Sequence, residues 1–133
     1  MSLEQRHNHA NGEQNRDGHR HNYSSNGGIE GATDDPAITA DRRRRRLNLL
    51  ATLLLSQGVP MIGEGTEMMY SKQGHHNSYD RPDLNQLDWR NLIEHQDLVK
   101  AVARLIRLRR QLPHFHYIGP LRKNNQTSDR WDI

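Results

Sequence analysis

Leu49-Leu50-Ala51-Thr52-Leu53-Leu54-Leu55-Ser56-Gln57-Gly58-Val59-Pro60-Met61-Ile62 is the stretch on which the fold turns. Its first half is apolar on nearly every side, which in a helix means burial on more than one face. Gly58 is a natural stop, because glycine takes the left-handed conformation that ends helices without a Cβ penalty. Val59 to Ile62 is then a short apolar run closed by Gly63-Glu64-Gly65, the pattern of a short buried strand. Pro60 lacks an N–H and so keeps that run out of a central antiparallel ladder.

Upstream, Asp34-Asp35-Pro36 supplies an N-cap carboxylate followed by proline at the first helical position, predicting a helix over 36–57. Its arginine run, Arg42 to Arg46, reads as a solvated helix face rather than a functional patch. Downstream, Thr66 to Asn91 returns to polar turn chemistry around Gly74 and Arg81-Pro82-Asp83. A second helix is predicted from about His95 to Gln111. Leu98, Val99, Val102, Leu105, Ile106 and Arg109 recur on one face, Arg104, Arg107 and Arg110 take the wet side, and Pro113 ends it. Residues 1–33, rich in Asn, Gly, His and Ser, show no period and read as a long loop, with low-complexity disorder as the alternative. From His114 to Ile133 the only signal is a strand start around Trp131. One buried strand between two helices is not a closed architecture, since a parallel strand needs neighbours on both edges. The order fits inside an α/β protein better than alone.

Composition agrees. The chain has 133 residues, 32% hydrophobic and 5% aromatic, against roughly 45–50% apolar content in ordinary globular domains. Net charge is +3, and the excess traces largely to Arg42–Arg46, so no nucleic-acid partner is expected. There is no cysteine, which excludes disulfides and thiolate metal sites. No apolar run approaches the roughly 20 residues of a membrane span, and no secretory signal opens the chain. A cytoplasmic location and no membrane partner are expected.

Four collinear segments carry a family resemblance. Residues 7–18, His-Asn-His-Ala-Asn-Gly-Glu-Gln-Asn-Arg-Asp-Gly, followed by Asn22-Tyr23-Ser24, resemble the loop KHNEANGENNRDG…NYS of bacterial glycogen-debranching enzymes and isoamylases. Residues 49–61 match their LLATLLLSQGVPM almost letter for letter. Residues 73–79 with 85–89 resemble QGNNNAY…NEISWFDW, and residues 105–113 resemble LIALRREHP. The resemblance covers roughly residues 5–115 and implies an α/β fold, a partial (β/α)8 TIM barrel of which this is about the last quarter: loop, helix, strand, loop, helix. By it, residues 1–4 are an added leader or a reading-frame start, 5–115 the C-terminal portion of an α-amylase-type catalytic barrel, and 116–133 a linker toward a further domain.

What the resemblance implies about chemistry is mixed. Such enzymes are retaining glycosidases that use a nucleophilic and an acid/base carboxylate about 5–5.5 Å apart. It places both on barrel strands outside this chain, and a third on a His-Asp motif that this sequence does not contain. The implied function is therefore a part of a hydrolase acting on α-1,6 branch points of glycogen-like α-glucans, inactive alone, with no catalytic residue here and no cofactor. The alternative is a non-catalytic carbohydrate-binding or oligomerising module, self-associating through exposed barrel edges. Where relatives carry LLAGDE, this chain has Ile62-Gly63-Glu64-Gly65-Thr66-Glu67, so Glu67 stands for the second acid and Thr66 replaces the first.

The candidate substrate-binding residues are Asn11, Glu13, Asn15, Arg16, Asp17, Glu67, Asn77 and Tyr79, facing α-glucan as partner. For the five loop residues, scaffolding by Asx turns and an Arg16 contact to Asp17 or Glu13 is at least as good a reading. Glu64 and Glu67 are read as bonding loop amides rather than as an acid/base pair. Tyr79 and Trp89 could stack on sugar rings, with core packing the blander use. Nine histidines include the pairs His7/His9, His19/His21, His75/His76 and His114/His116. No native metal site is expected, because structural zinc wants about four N/S ligands at held spacing.

Overall fold

The computed structural model describes residues 2–19, 21–116, 122–123 and 131–132. In chain order these form a 3-10 turn His9–Asn11, helix α1 (Pro36–Leu54), a 3-10 turn Thr66–Met68, and helices α2 (Pro82–Asn85), α3 (Arg90–Glu94) and α4 (Gln96–Gln111). A last 3-10 turn, Pro113–His116, precedes strands β1 (Arg122–Lys123) and β2 (Trp131–Asp132). The two strands pair antiparallel, Arg122 with Asp132 and Lys123 with Trp131. Most of 116–133, expected to be a linker, lies outside the described residues.

Helix α1 begins as its sequence dictates. The Asp35 carboxylate accepts from the Ala37 and Ile38 amides at 2.8 and 3.1 Å, and Pro36 fills the first position, where no N–H is needed. It ends at Leu54, three residues before the expected 57, and Gly58 follows in the left-handed region at φ 96°. Its apolar half does not bury on every side. Leu50 and Leu54 are buried, whereas Leu49 is 72% exposed.

α4 runs as its stripe predicts. Leu98 and Val102 are buried, Leu105 is half-buried, and Arg104, Arg107 and Arg110 face solvent. The core is the seam between these helices, made of Leu50, Leu54, Leu98 and Val102, with Leu47, Ile62, Met69 and Leu105 packed around it. Burying each such aliphatic side chain contributes about 1.5–3 kcal/mol before entropy is counted.

The run 59–62 departs from expectation. It belongs to no strand, and Val59 and Met61 are 91% and 84% exposed while Pro60 and Ile62 are half-buried. A strand exists by pairing, and among the described residues no hydrogen bond reaches the backbone N–H or C=O groups from Val59 to Ile62. The stretch 66–91, expected to be turns throughout, also carries α2 and the start of α3. Just before α3, the Asp88 carboxylate accepts from the Arg90 amide at 3.0 Å.

The long loop before α1 is tied down at several points. Ser2 and Gly31 form an antiparallel bridge. Arg42, read from sequence as solvated, instead donates to the Asn26 and Gly31 carbonyls at 2.6–2.8 Å and to the Ile29 carbonyl, strapping the loop to α1. Among the described residues no helix is long and apolar enough to cross a membrane.

Candidate functional site

The two long loops, before α1 and before α4, are bonded to each other. His7 donates its backbone N–H to the Gly74 carbonyl at 3.0 Å. One residue on, Asn8 is fully buried and joins both loops through its side chain. Its Oδ1 accepts from the His76 amide at 2.7 Å, and its Nδ2 donates to the Asp17 carbonyl at 2.7 Å. Asn11 Nδ2 donates to the Asn77 carbonyl at 2.6 Å. The fit leaves no room at two glycines. A Cβ on Gly18 would lie 2.4 Å from His76 Cβ, and one on Gly74 would lie 2.6 Å from His7 Cδ2.

Glu30 anchors the near edge of this junction. Its carboxylate accepts from the Glu4 and Gln5 amides at 2.8 and 2.9 Å, from Asn26 Nδ2 at 3.1 Å, and pairs with His7 Nε2 at 2.9 Å. The Glu4 amide above all, then His7, and further the Gln5 amide and Asn26, hold this carboxyl down at about 2 against the opposing pull of desolvation. On the far side, partial burial beside the Arg81 guanidinium pushes the His75 imidazole below its ordinary value, which favours the neutral ring. Ser78 is buried, donating to Asn85 Oδ1 at 2.8 Å and accepting from Lys72 Nζ at 3.0 Å.

Of the eight candidate residues, the structure brings four into one bonded group. Asn11 bridges to Asn77 and comes within 3.5 Å of Asp17 Oδ2, while Asn15 Oδ1 accepts from the Asn8 amide at 2.9 Å. These four act as scaffold. Arg16 contacts Glu13 as expected, but through the Glu13 carbonyl at 3.4 Å, so the Glu13 carboxylate stays exposed. Tyr79 is 85% exposed, held beside the junction by its amide donating to Asn77 Oδ1 at 3.4 Å. Neither it nor Trp89, which is 66% exposed, packs into the core formed by the described residues. Glu67 sits in the Thr66–Met68 turn, and among the described residues neither it nor Glu64 accepts a hydrogen bond, contrary to the loop-amide reading.

Sequence reasoning missed Asn8, Glu30, Arg42 and Ser78. Their partners are mostly backbone groups, which leave no trace in residue identity. Among the described residues no group of three or more His, Asp or Glu side chains is placed to hold a metal ion. Two cavities flank the junction. One of about 250 Å³ is largely polar and includes Ser71, Gly74 and His76. The other, of about 580 Å³, opens over α1 between Leu49, Leu53 and Met61. Arg46 lines both.

No family model matches the chain. Curated proteins do. It is 46% identical over 114 residues to a glycogen debranching enzyme of Serratia proteamaculans, covering 85% of this chain and 17% of that protein. A glycogen debranching enzyme of Klebsiella pneumoniae is equally similar over the same share. A glycogen operon protein GlgX homolog of Mycobacterium tuberculosis is 42% identical over 111 residues, 83% of this chain and 15% of its own length. The chain thus spans about a sixth of the length of the curated relatives it matches.

Proposed function

We propose, on the premise that this chain is kin to the glycogen debranching enzymes, that it forms the glucan-facing loop pair of an α-1,6-acting glycoside hydrolase. The observation that carries the reading is the bonded junction of the two loops. Asn8 and Asn11 fix them against each other, and Tyr79, bonded through its amide to Asn77, is left exposed beside the junction, as the Glu13 side chain is on the first loop. An exposed tyrosine held by rigid neighbours offers an apolar face to a sugar ring and a hydroxyl to its edge.

The barrel layout is part of this proposal. It is supported by the order of α1, the run 59–62, a long loop and α4, and by the seam between the two helices. In (β/α)8 barrels the loops that follow strands build the active-site face, and both long loops would be of that kind. The chemistry itself requires a carboxylate pair, which the resemblance assigns to parts of the enzyme outside this chain. The proposal is thus of a hydrolase part that is silent alone.

The test is a chimera in which this chain replaces the 114 aligned residues of the Serratia proteamaculans enzyme. Release of reducing ends from glycogen branch points is the expected result. A chimera that folds, by its circular dichroism and a cooperative melt, yet releases none overturns the reading. Exposed Tyr79 and Trp89 favour one second reading, a non-catalytic glucan-binding module. Retention of the isolated chain in a glycogen-containing gel, together with a sharp melt, would select that module instead.

A further inference from the structure

The polar cavity of about 250 Å³ opens where three segments of the chain meet. Gln5 and Ser24 reach it from the loop before α1, Ser71 and His76 from the loop before α4, and Arg46 from α1 itself. Arg46 stands apart from the rest of its run. Arg42 straps the first loop, Arg43 pairs with Asp97, and Arg44 and Arg45 both pair with Asp41. Among the described residues Arg46 has neither a hydrogen bond nor an ion pair.

The groups around the cavity are unevenly committed. Asn22 is fully engaged, since its Nδ2 donates to the Leu3 and Glu4 carbonyls and its Oδ1 accepts from the Ser24 amide. His76 Nδ1 is held on the His19 carbonyl at 3.1 Å. Ser71 Oγ accepts from the Gln73 amide at 3.1 Å, which leaves its hydroxyl hydrogen to donate. The Ser24 hydroxyl and the Gln5 carboxamide bond nothing among the described residues. No Asp or Glu lines the cavity. Glu30, which holds the Gln5 amide, already has the Glu4 amide, Asn26 and His7 as further partners.

What remains uncommitted is a guanidinium fork and two hydroxyls, a set that lacks a negative charge to face. Burial already disfavours the charge on Arg46, so an anion beside it would be felt strongly. Guanidinium presents parallel N–H donors that match two phosphate oxygens, and hydroxyls complete such a site. The volume falls just under the roughly 300–1,000 Å³ of drug-sized pockets, which suits a single sugar better than a nucleotide. Leu3 supplies an apolar wall for a ring face and Gln5 an amide for ring hydroxyls.

We propose that this cavity binds a phosphorylated monosaccharide, with its phosphate on Arg46 and the Ser24 and Ser71 hydroxyls and its ring against Leu3 and Gln5. Neither Tyr79 nor Glu13 lines the cavity, so such a ligand ties both loops to α1 and leaves Tyr79 uncovered. That is the arrangement of a regulatory site rather than of a second glucan seat.

The test is an NMR titration of the full 133-residue chain with glucose 6-phosphate, inorganic phosphate and glucose as separate probes. Glucose 6-phosphate is expected to shift the Gln5, Ser24 and Ser71 amides. It should bind about tenfold more tightly than glucose, which lacks the charge, and several-fold more tightly than inorganic phosphate, which lacks the ring. Arg46→Leu keeps the apolar stem and removes the charge, and should weaken glucose 6-phosphate binding about tenfold or more. Ser71→Asp lies at an exposed position and keeps an acceptor for the Gln73 amide, but sets a carboxylate in the cavity wall. It should abolish binding and leave the helical circular dichroism unchanged. Unaltered affinity in either variant overturns the proposal, as does the absence of any shift at millimolar glucose 6-phosphate. Glucose binding as tightly as its phosphate ester would remove the anion from the site, and inorganic phosphate doing so would remove the sugar, and each result overturns the assignment.

Discussion

Arg109 Nη1 donates to the Leu54 carbonyl at 2.7 Å, so the last turn of α4 closes the end of α1. The same nitrogen reaches the Ser56 carbonyl at 2.6 Å, and Nη2 reaches the carbonyls of Gly58 and, at 3.0 Å, Phe115. Carbonyls at a helix C-terminus have no intrahelical partner and carry the negative end of the macrodipole. A buried cation there satisfies both. It also explains why α1 stops short of Gly58, since the chain beyond Leu54 turns to present its carbonyls to one guanidinium.

Replacing Arg109 with leucine should therefore cost about 3 kcal/mol, because several carbonyls lose a charged donor at once. The urea denaturation midpoint of the chimera measures it. Arg109→Lys should recover less than half, since an ammonium cannot fork across carbonyls as a guanidinium does.

Asn8→Ala should uncouple the loops. It leaves the His76 amide and the Asp17 carbonyl without their partner at a half-buried place, at about 1 kcal/mol each. Trypsin cleavage after Arg16 should accelerate while cleavage within α4 does not. Equal rates at both sites would show that Asn8 is not the tie.

Acid should loosen the Glu30 anchor within a defined window. The folded carboxyl lies at about 2 against an ordinary 4.5. Its contribution is fully present above 4.5 and is lost as pH falls through 2. The amide resonances of Glu4 and Gln5 should titrate with a midpoint near 2 and cease to do so in Glu30→Gln. A midpoint near 4.5 would mean the carboxylate makes no such bonds.

Gly74→Ala meets two obstacles together. The backbone sits at φ +84°, and the new Cβ would press on the His7 ring at 2.6 Å. The expected loss is about 1–2 kcal/mol of stability. His7→Ala in the same chain should restore part of it by removing the obstructing ring, which a melt of the double variant checks.

Tyr79→Ala and Trp89→Ala should each weaken glycogen retention by the chimera several-fold with its melting temperature unchanged, because both side chains are exposed. A drop in melting temperature equal to that of a core substitution would return them to a packing role.

How much of this was legible depended on where each partner lay. The Asp35 cap and the Pro113 stop were readable because they act within one turn of themselves. The α4 stripe was readable too, and it set Arg109 on the apolar face. Its reason was not, since the Leu54, Ser56 and Gly58 carbonyls that it bonds lie more than fifty residues upstream. Helices α2 and α3 are only four and five residues long, too short to show a period. The strand reading of 59–62 rested on apolar residues that imply pairing, and pairing is a property of two segments. Tyr79 and Trp89 were ambiguous for the same kind of reason, because an aromatic outside any periodic run gives no hint of its side.

The Asn8 to His76 bond joins residues 68 apart in sequence, with all of α1 between them. Closing so long an intervening chain is entropically slow compared with forming a helix. During synthesis the segment before α1 can find its place only after the ribosome has produced residues 74–77. The segment before α1 is thus among the last parts of this fold to settle, and until then its asparagines and histidines wait in water for a loop that does not yet exist.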